Sequence, residues 1–207
     1  METIVIWDWN GTLLNDVGTN HTILNAMLDK RGMRRLSLDE YRRAFRLPII
    51  KLYEAAGFTF ESETFEQVAQ EYIVMYRNAF EQIPLSDGVF EVLEAIRGRN
   101  IRQYIVSAMN ETDLLQQVRR KNIDGYFDAV AGIDSIHATG KKQRAVDFVN
   151  SLTDRPAIVL IGDMDHDYEV AQEIGARCIL YSKGHQTPAG QTDCPVIDDL
   201  RDAVALL

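Results

Sequence analysis

The stretch IVIWDWNGTLL, residues 4–14, decides the fold of this chain. It begins as a short apolar run, which is typical of a strand buried on both faces of a parallel sheet. It then breaks at Asp8, and Gly11 lets the backbone turn sharply beside a ligand. A carboxylate at the carboxyl end of a buried strand lies where open α/β sheets bind ligands. Taken alone, these residues also fit a strand that ends in a turn, with Asp8 as a turn residue.

Residues 16–84 show helical spacing and no strong strand pattern. Apolar residues recur at i, i+3 and i+4 between residues 65 and 83. Thr64 and Gln67 have the spacing of a capping box, which predicts that a helix begins after Thr64. This part of the chain is therefore predicted to be a small helical insertion.

Helix and strand patterns alternate from residue 85 onward. Apolar runs predict strands at 103–107, 127–131, 157–161, 177–181 and, more weakly, 195–197. Such alternation predicts an α/β fold, a parallel sheet with helices on both faces. We predict a core domain of residues 1–15 and 85–207, with a cap domain of residues 16–84 inserted into it.

Composition limits the class of partner. The 207 residues carry a net charge of −9, which argues against nucleic acid because phosphate backbones need a cationic surface. Residues 30–51 are the exception, with eight basic residues against two acidic ones. This segment is either a cationic patch for a small anion or an ordinary solvated helical face.

Nothing in the sequence indicates export or a membrane. No basic leader segment and no long apolar run is present, so we expect a cytoplasmic protein. Cys178 and Cys194 have no metal-type spacing, and reduced thiols are the simplest interpretation. The oligomeric state, monomer or homodimer, cannot be read from the sequence.

Three predicted strands end in chemically useful groups, namely Asp8, Ser107 and Asp163. Because the carboxyl ends of parallel strands meet at one edge of the sheet, these groups are expected to converge. The last strand leads into Gly162-Asp163-Met164-Asp165-His166-Asp167, whose carboxylates repel one another unless a cation or hydrogen bonds compensate. Oxygen ligands of this kind favour Mg²⁺.

The acidic loop has two other interpretations. A calcium-binding loop requires a glycine where Tyr168 stands and a glutamate where Ile174 stands, so that motif fails. An acidic helix start is the second alternative, because aspartate is favoured there by capping and by the helix dipole. It accounts for one or two of the aspartates more easily than for all three.

The chain resembles the haloacid dehalogenase superfamily of phosphatases and phosphotransferases over nearly its whole length. The first motif of that family, Asp-x-Asp-Gly-Thr, corresponds to residues 8–12, and the second, a Ser or Thr, to Ser107. The third, a lysine before a helix, corresponds to Lys141 or Lys142. The fourth, Gly-Asp-x-x-x-Asp, corresponds to residues 162–167. The resemblance implies a Rossmann-like core with strand order 5-4-1-2-3 and a type 1 helical cap, as in phosphoglycolate phosphatase-like members.

The resemblance also implies roles for individual residues. Asp8 would be the nucleophile that forms an aspartyl-phosphate, and Lys141 would neutralise it and the transferring group. The remaining roles implied are Mg²⁺ binding by Asp8, the Asn10 carbonyl, Asp163 and Asp167, and substrate binding by Thr12, Ser107 and Ala108. We also expect Arg46 of the cap to bind a second anionic group on the substrate, because arginine pairs bidentately with carboxylate or phosphate. The alternative is that it faces solvent or an acidic surface of the core.

Asn10 departs from the family pattern, because the family has its general acid, an aspartate, at this position. An amide donates a hydrogen bond but cannot deliver a proton to a leaving oxygen. Three consequences are open: a substrate with a good leaving group, a different acid such as His166 or His185, or a slow enzyme with a persistent phosphoenzyme.

Four functional hypotheses follow. The first is a Mg²⁺-dependent phosphatase acting on a small phosphorylated metabolite. The second is a phosphonatase that cleaves C–P bonds after a cap lysine, Lys30 or Lys51, forms a Schiff base with the substrate. The third is metal-free dehalogenation, which the acidic loop disfavours. The fourth is a phosphate-binding protein with little turnover.

Overall fold

The computed structural model describes residues 2–133, 140–188 and 193–207. Its strands are β1 (Thr3–Trp7), β2 (Arg102–Asn110), β3 (Ala129–Ile133), β4 (Ala157–Gly162), β5 (Arg177–Tyr181) and β6 (Val196–Ile197). Its α-helices are α1 (Val17–Lys30), α2 (Leu38–Ala44), α3 (Ile50–Ala55), α4 (Phe65–Ala79), α5 (Val89–Gly98), α6 (Glu111–Arg120), α7 (Gly140–Ser151) and α8 (Asp165–Glu173). Short 3₁₀ turns cover Phe80–Gln82, Asp124–Tyr126 and Leu200–Leu206.

The strands form one parallel sheet in the order β3-β2-β1-β4-β5-β6. The predicted α/β class and the order of the first five strands are confirmed. The weakly predicted strand near residue 196 also forms, and it extends the sheet beyond β5 through the pairing of Leu180 with Val196. The order places β1 between β2 and β4, so groups that follow these three strands are neighbours.

Two strands, β2 and β3, differ from the predicted bounds by two residues or more at one end or both. The strand β2 continues past Ser107 to Asn110, with a register shift against β3 between Val106 and Asn110. The strand β3 begins two residues later than predicted. The preceding residue, Asp128, makes two hydrogen bonds with Gln103 instead. Its backbone N–H donates to the Gln103 carbonyl at 2.8 Å, and its Oδ2 accepts from the Gln103 N–H at 3.2 Å.

Side chains of β1 are buried alternately in two apolar clusters, one on each face of the sheet. Ile4 and Ile6 lie in one cluster, and Val5 and Trp7 lie in the other. The apolar run is therefore buried on both sides, as its sequence predicts. The indole N–H of Trp7 donates to the Gln103 side chain at 3.1 Å, which satisfies a polar group that burial would otherwise leave unpaired.

The helices α1 to α4 all lie between β1 and α5 in the chain, and residues 16–84, every one of them described, contain no strand. The predicted capping box forms at the start of α4. Thr64 Oγ1 accepts from the Gln67 N–H at 3.3 Å, and Gln67 Oε1 accepts from the Thr64 N–H at 2.9 Å. The domain boundaries at residues 15 and 85 stay a prediction.

Hydropathy and helix length bear on membrane insertion. Within the described residues, every helix is too short or too polar to cross a bilayer.

Candidate active site

Three carboxylates meet at the carboxyl edge of the sheet. Asp8 follows β1 and donates its N–H to the Ile161 carbonyl of β4 at 2.8 Å, so the first carboxylate is fixed against the neighbouring strand. Asp163 follows β4, and Asp167 lies in the first turn of α8. One oxygen from each of the three lies within 4.8 Å of the others. The convergence predicted from the strand ends is therefore present.

Close backbone approach makes this convergence possible. Gly11 has a φ of +75°, and a Cβ there would lie 2.5 Å from Asp163 Oδ2. A Cβ on Gly184 would overlap the side chain of Asp163, although that backbone is not in the left-handed region. Sequence reasoning missed Gly184, because its loop follows β5 and carries no motif.

Two donors orient the Asp163 carboxylate. Thr12 Oγ1 donates to Oδ1 at 3.2 Å, and the backbone N–H of His185 donates to Oδ2 at 2.6 Å. Thr12 is wholly buried and is absent from the wall of the adjoining cavity. Its position therefore favours orientation of Asp163 over contact with substrate.

Lys141 lies in the site, and Lys142 does not. The Lys141 side chain is 3% exposed, with Nζ 2.5 Å from Asp8 Oδ1 and also bonded to Asp167 Oδ1. The Lys142 side chain is 45% exposed and pairs with Glu173 at 2.8 Å. Of the two candidate lysines, Lys141 is the one that contacts Asp8, and its role as the third-motif lysine stays a prediction.

Asp167 has two structural duties. Its Oδ2 accepts from the backbone N–H groups of Asp163 and Met164, both at 3.0 Å, which fixes the loop at the start of α8. Its Oδ1 faces Lys141. The helix-start interpretation of the acidic loop is therefore partly correct, because Asp165 and Asp167 both lie in the first helical turn.

The site combines three buried carboxyl groups with one buried ammonium group. Burial raises the pKa of Asp8 to about 6, even though Lys141 opposes the shift, and burial raises the pKa of Asp163 well above its usual range. Burial alone would lower the pKa of Lys141, but Asp167 and Asp8 raise it, so the ammonium stays charged. Three carboxylates facing one ammonium are a donor set that fits a hard divalent cation.

A cavity of about 320 Å³ opens directly above Asp8. Ser107 and Ala108 belong to its wall, and Ser107 Oγ accepts from the Met109 N–H at 3.2 Å. Arg46 is exposed, donates to the Phe45 carbonyl and does not line the cavity. Its predicted contact with substrate stays a prediction. The cap lysines Lys30 and Lys51 are also absent from the wall.

The amide of Asn10 is fixed by a buried acid that sequence reasoning missed. Asn10 Nδ2 donates to Asp16 Oδ2 at 2.7 Å and to the Tyr76 hydroxyl at 2.9 Å. The wholly buried Asp16 also accepts from the Gly11 N–H (2.8 Å) and from Asn20 Nδ2 (3.0 Å). The one sequence signal for this role is the spacing of Asp16 and Asn20, four residues apart at the start of α1.

His185, from the loop after β5, joins this polar network by contacting Asp16 and Tyr41. Its Nε2 lies 2.9 Å from Asp16 Oδ1, its Nδ1 lies 2.8 Å from the Tyr41 hydroxyl, and its ring stacks on Phe45 at 4.6 Å. Burial would lower the pKa of His185, but Asp16 raises it overall. Burial likewise would raise the pKa of Asp16, but His185 and hydrogen bonds lower it.

The two histidines named as alternative acids both line the cavity. His185 is engaged by Asp16 and Tyr41. His166 is 3.4 Å from Glu169 on the next turn of α8, at the rim of the site. Neither assignment as a general acid is tested by these contacts.

Fold and site together define an α/β protein with an acidic centre at the sheet edge. A family model described as haloacid dehalogenase-like hydrolase matches residues 5–181. The chain is 25% identical over 190 residues to a phosphoglycolate phosphatase of Rhodobacter capsulatus, covering 90% of this chain and 87% of that relative.

Solved structures show the same fold. A haloacid dehalogenase-like hydrolase from Streptococcus pneumoniae matches with a TM-score of 0.83 at 18% identity, covering 99% of this chain and 98% of that one. A predicted phosphoglycolate phosphatase from Haemophilus somnus matches with a TM-score of 0.79 at 17% identity, covering 99% and 97%. This chain belongs to the haloacid dehalogenase-like hydrolases.

Proposed function

We propose that this protein is a Mg²⁺-dependent phosphatase that acts on a small phosphorylated metabolite through an aspartyl-phosphate on Asp8. The observation that carries the proposal is the contact of Asp8 with Lys141 at the floor of a cavity, beside Asp163 and Asp167. The phosphatase named among its relatives supports the same reaction class.

In the first step, a carboxylate oxygen of Asp8 attacks phosphorus, and the bond from phosphorus to the leaving oxygen breaks. Lys141 holds Asp8 by one oxygen and offsets the negative charge that gathers on the transferring group. Ser107 at the cavity wall is positioned to bind a phosphate oxygen. In the second step, water attacks the phosphorus of the acyl phosphate and releases free Asp8 and phosphate.

Asp8, Asp163 and the Asn10 carbonyl are the groups that would hold Mg²⁺, with Asp167 supporting the site. When bound, the ion supplies positive charge that lets an anionic nucleophile meet an anionic phosphate. Burial raises the pKa of Asp8 and of Asp163, so ionising these two carboxyl groups is costly, and a bound cation would offset that cost.

Residues 16–84 act, in this proposal, as a cap over the core of residues 1–15 and 85–207. Tyr72, Ile73 and Tyr76 of α4 line the same cavity as Asp8. Asn20 of α1 donates to Asp16 within the cap, and Tyr41 of α2 contacts His185 of the core. The insertion would therefore cover the substrate cavity and make polar contacts that hold the cap against the core.

The environment of Asn10 bears on the missing general acid. Its amide hydrogens are used by Asp16 and Tyr76, so it serves as a donor to a buried carboxylate. The substitution Asn10→Asp would place a second carboxyl group where the amide now lies 2.7 Å from Asp16. The two carboxyl groups would share a proton, and one pKa of the pair would rise. The site would then hold a protonated acid where the family has its general acid.

The test compares wild type with Asn10→Asp, Asp16→Asn and the double variant that exchanges the amide and the carboxylate. Phosphate release is measured with Mg²⁺ for phosphate esters that differ in the leaving tendency of their oxygen. We expect wild type to cleave only esters with good leaving groups. Asn10→Asp should accelerate poor leaving groups by about 10²–10⁴-fold, the usual value of acid catalysis.

The double variant is the matched control. It keeps one amide–carboxylate hydrogen bond and changes only which residue carries the acid. If it gains activity like Asn10→Asp, the gain comes from an acid at position 10 and not from a repacked network. Absence of phosphate release in wild type and in all variants, across esters and anhydrides, would disprove the phosphatase proposal.

A further inference from the structure

Above the acidic floor, the wall of the cavity is mostly apolar. The segment around α2 and α3 contributes Phe45, Leu47 and Ile49, and α4 contributes Tyr72 and Ile73. Two methionines at the core edge, Met109 and Met164, close the opposite side. Such a surface stabilises an apolar group by removing it from water.

The cationic side chains of this wall are already paired. Arg77 binds Asp113, another wall residue, at 2.8 Å. Lys141 is held between Asp8 and Asp167 at the floor. Among the described wall residues, no Lys or Arg lacks a carboxylate partner. Met1 and segments 134–139 and 189–192 contain neither Lys nor Arg.

A carboxylate on the substrate would be poorly accommodated here. It would lose hydration against apolar side chains without gaining an unpaired Lys or Arg among the described wall residues. Phosphoglycolate, the substrate in the names of the relatives, carries such a carboxylate. The cavity volume of about 320 Å³ lies at the small end for ligand pockets, which favours one compact group over a long chain.

Asn10 restricts the same substrate in a second, independent way. Because the amide cannot protonate the leaving oxygen, Asn10 favours an ester whose oxygen departs as a stable anion. A phenolic oxygen meets this requirement, since its charge spreads into the ring. An aromatic ring attached to that oxygen also fits the apolar wall.

We propose that the substrate is a phosphomonoester whose second part is an uncharged apolar group, preferably an aryl ring, and not a phosphorylated carboxylic acid. This inference rests on the proposed phosphatase function and specifies its substrate class. The phosphate would lie at Asp8, Ser107 and Lys141, with the ring against Phe45, Leu47 and Ile73.

Binding without turnover tests the proposal directly. Two phosphonates with Mg²⁺ are titrated by calorimetry: 3-phosphonopropionate, which replaces the ester oxygen of phosphoglycolate by CH₂, and benzylphosphonate, which replaces the ester oxygen of phenyl phosphate by CH₂. We expect the phenyl compound to bind at least about tenfold more tightly, as burial of apolar area predicts.

Two neighbouring residues of α4 supply a matched pair of variants. Ile73 lines the cavity, whereas Val74 is 48% exposed on the outer face. Ile73→Lys should reverse or abolish the preference by adding a cation to the wall. Val74→Lys adds the same charge outside and should leave the preference within about twofold, because exposed charges are screened.

The outcomes separate the two proposals. Tighter binding of 3-phosphonopropionate by wild type would overturn the substrate class while leaving the phosphatase proposal intact. If neither phosphonate binds, the assigned phosphate site is wrong, and both proposals are disproved. Retention of the phenyl preference by Ile73→Lys would show that the ring binds elsewhere and would overturn the assigned wall.

Discussion

Lys141 shows how much of the site could be predicted at the scale of single residues. The sequence offers two adjacent lysines after Gly140, and resemblance alone does not separate them. Helical geometry separates them, because successive side chains on a helix point about 100° apart. One consequently lies buried between Asp8 and Asp167, and the other lies beside Glu173 at the surface.

This difference gives a paired prediction. Lys141→Met should lower kcat/KM for phosphate release by about 10²–10³-fold, because it removes an electrostatic contact to the reacting group. Lys142→Met removes an exposed ion pair and should change the rate by less than about twofold. Steady-state kinetics on both variants, with circular dichroism to confirm folding, checks the assignment. Equal losses would contradict it.

Asp16 could not have been identified from the sequence. Asn10, Gly11 and Asn20 contact it from nearby in the sequence, but its partners His185 and Tyr76 are 169 and 60 positions away. Motif spacing reports local geometry around a strand end, whereas this network depends on how the inserted helices settle on the core. The strand-end carboxylates were predictable because the parallel sheet alone brings them together.

At the scale of elements, the loop after β5 packs its Gly184 backbone against the side chain of Asp163 and so fixes the position of that carboxylate. A Cβ on Gly184 would overlap the Asp163 side chain, so the carboxylate and the loop backbone fit only without one. The strand patterns predicted β5 itself because its apolar run is local. They could not predict the fit of its following loop, which depends on packing against β4.

Gly184→Ala should therefore destabilise the fold by about 1–3 kcal/mol, the usual cost of an overpacked contact, and should weaken Mg²⁺ binding. Gly18→Ala on α1 is the control. Nothing lies within 4 Å of a Cβ there, and a helical alanine should stabilise the protein by about 0.4–1 kcal/mol. Urea unfolding and Mg²⁺ titration measure both variants. An unchanged Mg²⁺ affinity in Gly184→Ala would refute the role given to this loop.

At the scale of the whole molecule, the acidic centre links folding to the cation. The folded chain concentrates three carboxylates around one ammonium, whereas the unfolded chain separates them. A ligand that binds only the folded state stabilises it by mass action, by about 2.7 kcal/mol at a hundredfold excess over Kd. The proposed Mg²⁺ site should therefore be visible in stability as well as in activity.

Mg²⁺ should raise the Tm, and the increase should be larger near pH 8 than near pH 5. Burial raises the folded-state pKa of Asp8 to about 6. Above that pH the carboxylate is ionised at a cost to stability that a bound cation offsets, whereas below it protons compete with the cation. Thermal unfolding with and without Mg²⁺ at the two pH values checks this. Asp163→Asn should lose most of the increase. A larger Mg²⁺ effect at the lower pH would refute the argument.

The hydrogen bonds around Asn10 have one more consequence, which concerns chemical ageing. An Asn-Gly pair deamidates when the glycine nitrogen attacks the asparagine side chain, and the product is an aspartate or its isomer. Here the Gly11 N–H and the Asn10 amide are both tied to Asp16, at 2.8 and 2.7 Å. The native fold thereby restrains the reaction, while an unfolded or heated sample lacks that restraint. Samples that have been unfolded or heated would therefore contain a fraction of the Asn10→Asp form, which carries an acid that the sequence does not encode.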